Sequence, residues 1–204
     1  MLLTGKAPCG MWIGYLLVTC QAAMVFTFVA AAGSKVLRAG ALAAFRDALP
    51  RMIFLPKRFS WSVAWLVVVA EMATAVIVAV PGLAMVGFLL AMGLMLIFTL
   101  SIASMVRRGS VEPCRCFGVS TRPPGWIDVI RNLALIAVAG AGLAGTAGSA
   151  NVADIGVGGL ALATGVGAVI ALLLMNLGEI ADLMSPARVP DRQASITLGI
   201  PEKS

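Results

Sequence analysis

Five stretches of this chain are each long and apolar enough to cross a lipid bilayer, and that feature decides the fold class. Crossing the hydrocarbon as a helix takes about 20 apolar residues. Runs of that kind occupy residues 11–33, 61–80, 83–106, 126–146 and 152–180. In lipid every backbone N–H and C=O must be satisfied inside the protein, so runs of this length are read as helices. The expected fold is all-α: a polytopic transmembrane bundle with a four-helix core in residues 1–146. An additional transmembrane helix follows in 147–184, then a polar tail, 185–204, expected to be disordered. The first run is longer than the ~7–15 residues of a signal-peptide core, so it is read as a retained span.

Composition agrees. Of 204 residues, 60% are hydrophobic and 12% charged, about half the charge of a typical soluble domain, ~25%. There is no room for a folded soluble enzyme beside the spans. The chain has no histidine, which removes the commonest general base, histidine-containing metal sites and the usual haem ligand. Net charge is +6, but the basic residues sit in two interhelical stretches. That placement reads as membrane topology and excludes a nucleic-acid-binding face.

The stretch between the first and second runs carries Lys35, Arg38, Arg46, Arg51, Lys57 and Arg58. The stretch between the third and fourth carries Arg107, Arg108, Arg115 and Arg122. The other two connections carry no basic residue. Both basic stretches fall on one side, which the positive-inside rule makes cytoplasmic, with the N-terminus outside and the tail inside. The location implied is the inner (cytoplasmic) membrane. In the first stretch Leu37, Ala41, Phe45 and Leu49 share a helical face, so a short interfacial helix is expected, ended by Pro50 and Pro56. In the fifth run Gly159, Ala163, Gly167 and Ala171 recur every four residues; such a ridge lets helix backbones approach closely.

The residues able to carry chemistry are few. Cys114-Arg115-Cys116-Phe117-Gly118 lies in the loop entering the fourth run. Two thiols one residue apart can close a small, strained and therefore labile disulfide ring. The arginines around them favour thiolate, the form that attacks. The same pair could be two ordinary loop cysteines. It could also be part of a zinc site, which would need about four ligands. Cys20 falls mid-span beside Gln21; it is a small apolar filler or a relay thiol for the pair. Cys9 and Cys20 would lie ~16 Å apart on one helix and cannot bridge. Glu71 falls near the middle of the second run. A carboxylate there calls for a partner: Arg131, beside Asn132, is the first candidate, and Lys35 can reach the same level. The cluster can serve function, helix registry or both.

In order, these residues resemble the methylamine-utilisation protein MauE family, within the wider DoxX-like group of small membrane proteins. The elements are Gly33-Ser34-Lys35 closing the first run, Glu71 in the second, Cys114-Arg115-Cys116-Phe117-Gly118, then Arg131-Asn132. The resemblance covers about residues 11–146 and leaves the fifth run outside. It implies a DoxX/MauE-like four-helix core and a part in processing or maturation, by disulfide formation, of the methylamine dehydrogenase small (β) subunit. It also implies a thioredoxin-like partner in relatives lacking that enzyme. By the resemblance Cys114 and Cys116 are the redox pair and Lys35, Glu71, Arg131 and Asn132 the supporting polar set. No cofactor is implied, although a quinone would complete an electron relay. One tension follows. Substrate disulfides form outside the cytoplasm, while loop charge puts the pair inside. The pair exchanges with cytoplasmic thioredoxin, the topology is inverted, or the role is not oxidation of an external substrate. Two other readings stand beside the redox one: a small-solute or quinone-binding protein using Glu71 and Arg131, and a non-catalytic membrane assembly partner.

Overall fold

The structure, a computed structural model, describes residues 8–53, 56–108, 125–147 and 155–184. Their elements are helical: α1 (Pro8–Val36), α2 (Ala41–Ile53), a 3-10 turn (Lys57–Phe59), α3 (Ser60–Ala79), α4 (Ala84–Arg107), α5 (Trp126–Ala147), α6 (Val157–Met175) and α7 (Leu177–Met184). Five of them, α1, α3, α4, α5 and α6, are long and apolar enough to span a membrane. The all-α, multi-span expectation holds.

Four spans form a ring in which α1 packs on α3, α3 on α4, α4 on α5 and α5 on α1, while α6 lies outside against α1. Phe28, Met24, Phe88, Met95 and Leu135 are fully buried inside the ring. Outside, Leu66, Val69, Ile97, Leu100 and Leu162 are more than half exposed. An apolar exterior around a packed core is the pattern of a surface solvated by lipid.

Local chemistry sets the helix ends. Pro81 has no N–H to continue α3. Val80-Pro81-Gly82-Leu83 closes as a type II turn, with Leu83 N–H donating to the Val80 carbonyl at 3.1 Å and Gly82 at φ +84°. That turn needs a glycine at its third position. The hairpin is tight: a Cβ on Gly87 would lie 2.7 Å from the Val78 backbone. The last-turn carbonyl of Val78, left without an intrahelical donor, accepts the Gln21 side-chain amide at 3.0 Å, which joins α1 to α3.

Three details differ from expectation. Helix α2 continues through Pro50; the proline removes a single bond, to the Arg46 carbonyl, close to the helix end. Leu37 lies before α2, across the bend at Gly40 (φ +77°), and is 87% exposed, whereas Phe45 and Leu49 are buried. The fifth run is divided at Asn176. Its side chain and its own N–H both donate to the Leu172 carbonyl, at 2.8 and 3.1 Å, and that competition ends α6.

The glycine ridge of α6 does what its spacing suggested. Ala163 and Ala171 are buried. A Cβ on Gly167 would lie 2.5 Å from the Thr19 carbonyl and 2.9 Å from the Ala23 nitrogen, and one on Gly159 would lie 2.5 Å from the Tyr15 hydroxyl. Close backbone approach is how helices associate where no hydrophobic effect drives them.

Candidate functional site

The charged centre of the bundle is an ion pair. Lys35, in the last turn of α1, donates from Nζ to both Glu71 carboxylate oxygens, at 2.7 and 3.0 Å, and to the Ala31 carbonyl at 3.2 Å. Both side chains are buried, 2% and 1% exposed. Sequence reasoning pointed first to Arg131 as the partner of Glu71; the structure gives that place to Lys35. The reason is geometric. A helical side chain leans toward its own N-terminus. Lys35 therefore reaches down from the end of α1 while Glu71 reaches up along the antiparallel α3.

Helix α2 closes this end. The Phe45 ring centroid is 5.3 Å from Lys35 Nζ, within cation–π range, and Phe45 and Leu49 are buried in the core cluster. The same helix carries Arg46, whose guanidinium lies 4.9 Å over the Trp61 ring and pairs with Asp47 at 2.6 Å.

Arg131 and Asn132 come to the same depth. Leu17 packs on Gly145, and α1 and α5 are antiparallel. Equal steps along both helices bring Ala31, which accepts from Lys35, opposite Arg131. Arg131 pairs with Asp128 at 3.4 Å. Asp128 also accepts the Gly125 N–H at 3.0 Å, a reach-back that caps the start of α5. Asn132 has 0% exposure and heads the inward stripe Asn132, Leu135, Ala139, Gly142. Among the described residues, neither its Nδ2 nor its Oδ1 has a hydrogen-bond partner. The buried threonines are satisfied locally: Thr27, Thr74 and Thr99 donate to the carbonyls of Ala23, Ala70 and Met95 at 2.8, 2.7 and 2.6 Å, whereas the buried Ser60 hydroxyl, like the Asn132 amide, meets no partner among the described residues.

Cys20 is a buried free thiol in the core cluster, about 16 Å along α1 from Ala31. Cys114 and Cys116 lie outside the described residues, as does the tail from residue 185. Their loop is bounded by the end of α4 at Arg108 and by Gly125 before α5. Two contributors escaped sequence reasoning. Asp128 was detectable as an acid three residues before Arg131, a spacing that lets the two meet on a helix. Gln21 was visible only as one polar side chain in an apolar run, with nothing to name Val78 as its acceptor.

The family model described as methylamine utilisation protein MauE matches residues 13–145, more than half of the chain. The chain belongs to the MauE family. No curated protein and no solved structure matches it significantly. In this MauE-family chain the matched region takes in Cys20, Lys35, Glu71, Cys114, Cys116, Arg131 and Asn132, and ends within α5. Helices α6 and α7 lie beyond it. No cofactor is indicated, and the described residues contain no group of three or more Cys, Asp or Glu able to hold a metal ion.

Proposed function

We propose that this MauE-family membrane protein is a thiol–disulfide redox component that matures a partner protein in methylamine utilisation, with Cys114 and Cys116 as the exchanging pair. One observation carries the reading. The sequence Cys114-Arg115-Cys116-Phe117-Gly118 falls inside the family-matched region and precedes α5, the helix that carries Arg131 and Asn132 toward the depth of the Lys35–Glu71 pair. The family ties the protein to methylamine utilisation, and Cys114 and Cys116 are the adjacent pair of thiols in the matched region, with Cys20 a single buried one.

The step is thiol–disulfide exchange. One cysteine of the pair, as thiolate, attacks a disulfide sulfur of the partner. A mixed disulfide forms and the partner's second sulfur leaves as thiolate. The other cysteine then attacks the mixed bond, closing the Cys114–Cys116 disulfide and releasing the partner reduced. Run in reverse, the chain's disulfide oxidises a partner dithiol, which is the direction maturation requires. Arg115 and the flanking arginines favour the thiolate form of the attacking sulfur. Lys35, Glu71, Arg131 and Asn132 form the supporting polar layer beneath the loop's attachment points.

Orientation decides the partner. Arg38, Arg46, Arg58, Arg107 and Arg108 lie at the α2 end, and the positive-inside rule assigns that end to the cytoplasmic face of the inner membrane. A thioredoxin-like protein is the exchange partner on that side. In the reverse orientation the pair meets the methylamine dehydrogenase small subunit directly. Replacing Cys114 and Cys116 by Ser is expected to leave that subunit, or the thioredoxin-like partner, in an altered redox state, read by thiol alkylation and mass shift. An unchanged partner in cells expressing the folded double variant rejects the proposal.

A further inference from the structure

The corner where α2 meets the start of α3 holds two arginines that the buried polar layer does not use. Arg46 comes from α2, and its guanidinium stands 4.9 Å over the Trp61 ring. Arg58, in the 3-10 turn that runs straight into α3, stands 4.8 Å over the Phe59 ring. Arg58 and Trp61 are three residues apart, a spacing that brings side chains to one side of a helical turn. The two guanidiniums therefore share one corner, each held against an aromatic face. Their charge is not cancelled there. Asp47 Oδ1 takes Nε and Nη2 of Arg46, at 2.8 and 2.6 Å, which leaves three of the five guanidinium N–H groups. Among the described residues Arg58 pairs with no carboxylate. Residues 41–59 carry Arg46, Arg51, Lys57 and Arg58 against one acid, Asp47. Beneath the corner the surface turns apolar. Trp61, Trp65, Val69, Met72 and Val76 recur every three or four residues along α3, and all are exposed. They form one strip from the aromatic belt down into the hydrocarbon.

We propose that the α2–α3 corner binds an anionic phospholipid, with Arg46 and Arg58 holding its phosphate and the α3 strip seating an acyl chain. A planar guanidinium matches phosphate through paired N–H···O bonds, and stacking on a ring fixes it in place for that contact. A soluble anion would use the arginines and leave the strip idle. A zwitterionic lipid would use the strip, but its own cation would meet the surplus positive charge. An anionic lipid satisfies both parts of the corner. The bound lipid pins α2 to the bilayer surface. Since α2 also carries Phe45, 5.3 Å from Lys35 Nζ, the lipid steadies the cover over the Lys35–Glu71 pair.

The test uses the full chain with Trp12→Phe and Trp126→Phe, both at exposed positions, so that Trp61 and Trp65 are the remaining tryptophans. It is reconstituted in phosphatidylcholine vesicles, and quenching by dibrominated phosphatidylglycerol is compared with quenching by dibrominated phosphatidylcholine. The anionic lipid should be preferred about fivefold or more, with near parity in Arg46→Gln/Arg58→Gln. Arg58→Gln alone, which breaks no ion pair, should lose part of the preference. Removing the same charge from the tail, by Arg188→Gln/Arg192→Gln, should leave it unchanged. Each variant is confirmed folded by its thermal melt in phosphatidylcholine. Equal quenching by the two lipids in the parent overturns the proposal. An equal loss in the two double variants also overturns it, because net charge then suffices. Release of the bound lipid by inorganic phosphate, but not by sodium chloride of matched ionic strength, overturns it in favour of a soluble anion.

Discussion

Lys35 and Glu71 show how strongly a buried charge constrains its surroundings. Each oxygen of the carboxylate accepts from one ammonium, at 2.7 and 3.0 Å, with both groups out of solvent. Removing one partner strands the other, at a cost of about 3–5 kcal/mol, while replacing both by apolar residues is often neutral or stabilising. Glu71→Gln and Lys35→Met are therefore each expected to lower the thermal midpoint of the purified protein clearly, and Lys35→Met/Glu71→Leu to recover most of the loss. Additive losses in the double variant would show that the two do not act as a pair. Sequence alone identified Lys35, Glu71, Arg131 and Asn132, because polar groups in apolar runs stand out. It did not give the pairing. Which cation reaches Glu71 depends on side-chain lean and helix register, and neither is written in the spacing of α1, α3 and α5.

At the level of elements, the apolar runs predicted the spans because a helix solvated by lipid is apolar on every face, so the length of the apolar run decides and its period adds little. The ends were harder. Pro50 is tolerated in α2, and Asn176 ends α6 by competing for one carbonyl. The α6 ridge was legible from its four-residue recurrence, but its target, α1, was not, since small residues can pack on any neighbour. Gly167→Leu would drive a side chain into the Thr19 carbonyl and the Ala23 backbone. It should cost about 1–3 kcal/mol, the usual penalty of overpacking, and lengthen the α1–α6 separation measured between spin labels at Leu16 and Leu162. Gly165→Leu, where an added Cβ meets nothing within 4 Å, should leave both unchanged. Equal effects at the two glycines would contradict ridge packing.

Across the whole molecule, three things meet at one end of the bundle: the α2 cover, the basic residues and both attachment points of the cysteine loop. That asymmetry was readable from loop charge, and the ring of four spans gives it a physical setting, with a polar layer a few turns below the surface. A membrane-impermeant maleimide should label Cys114 and Cys116 only after the cytoplasmic face is opened; labelling in intact cells would place the basic end outside and name the external subunit as the partner. The most direct test of the account is the redox state of these two sulfurs. Cells expressing the Cys116→Ser variant would be acid-quenched and alkylated, and the protein then separated without reductant. A reductant-sensitive adduct with a partner through Cys114, together with a parent chain that cycles between disulfide and dithiol, is the predicted result. Thiols that stay free under every growth condition, with no adduct from either single variant, would contradict it.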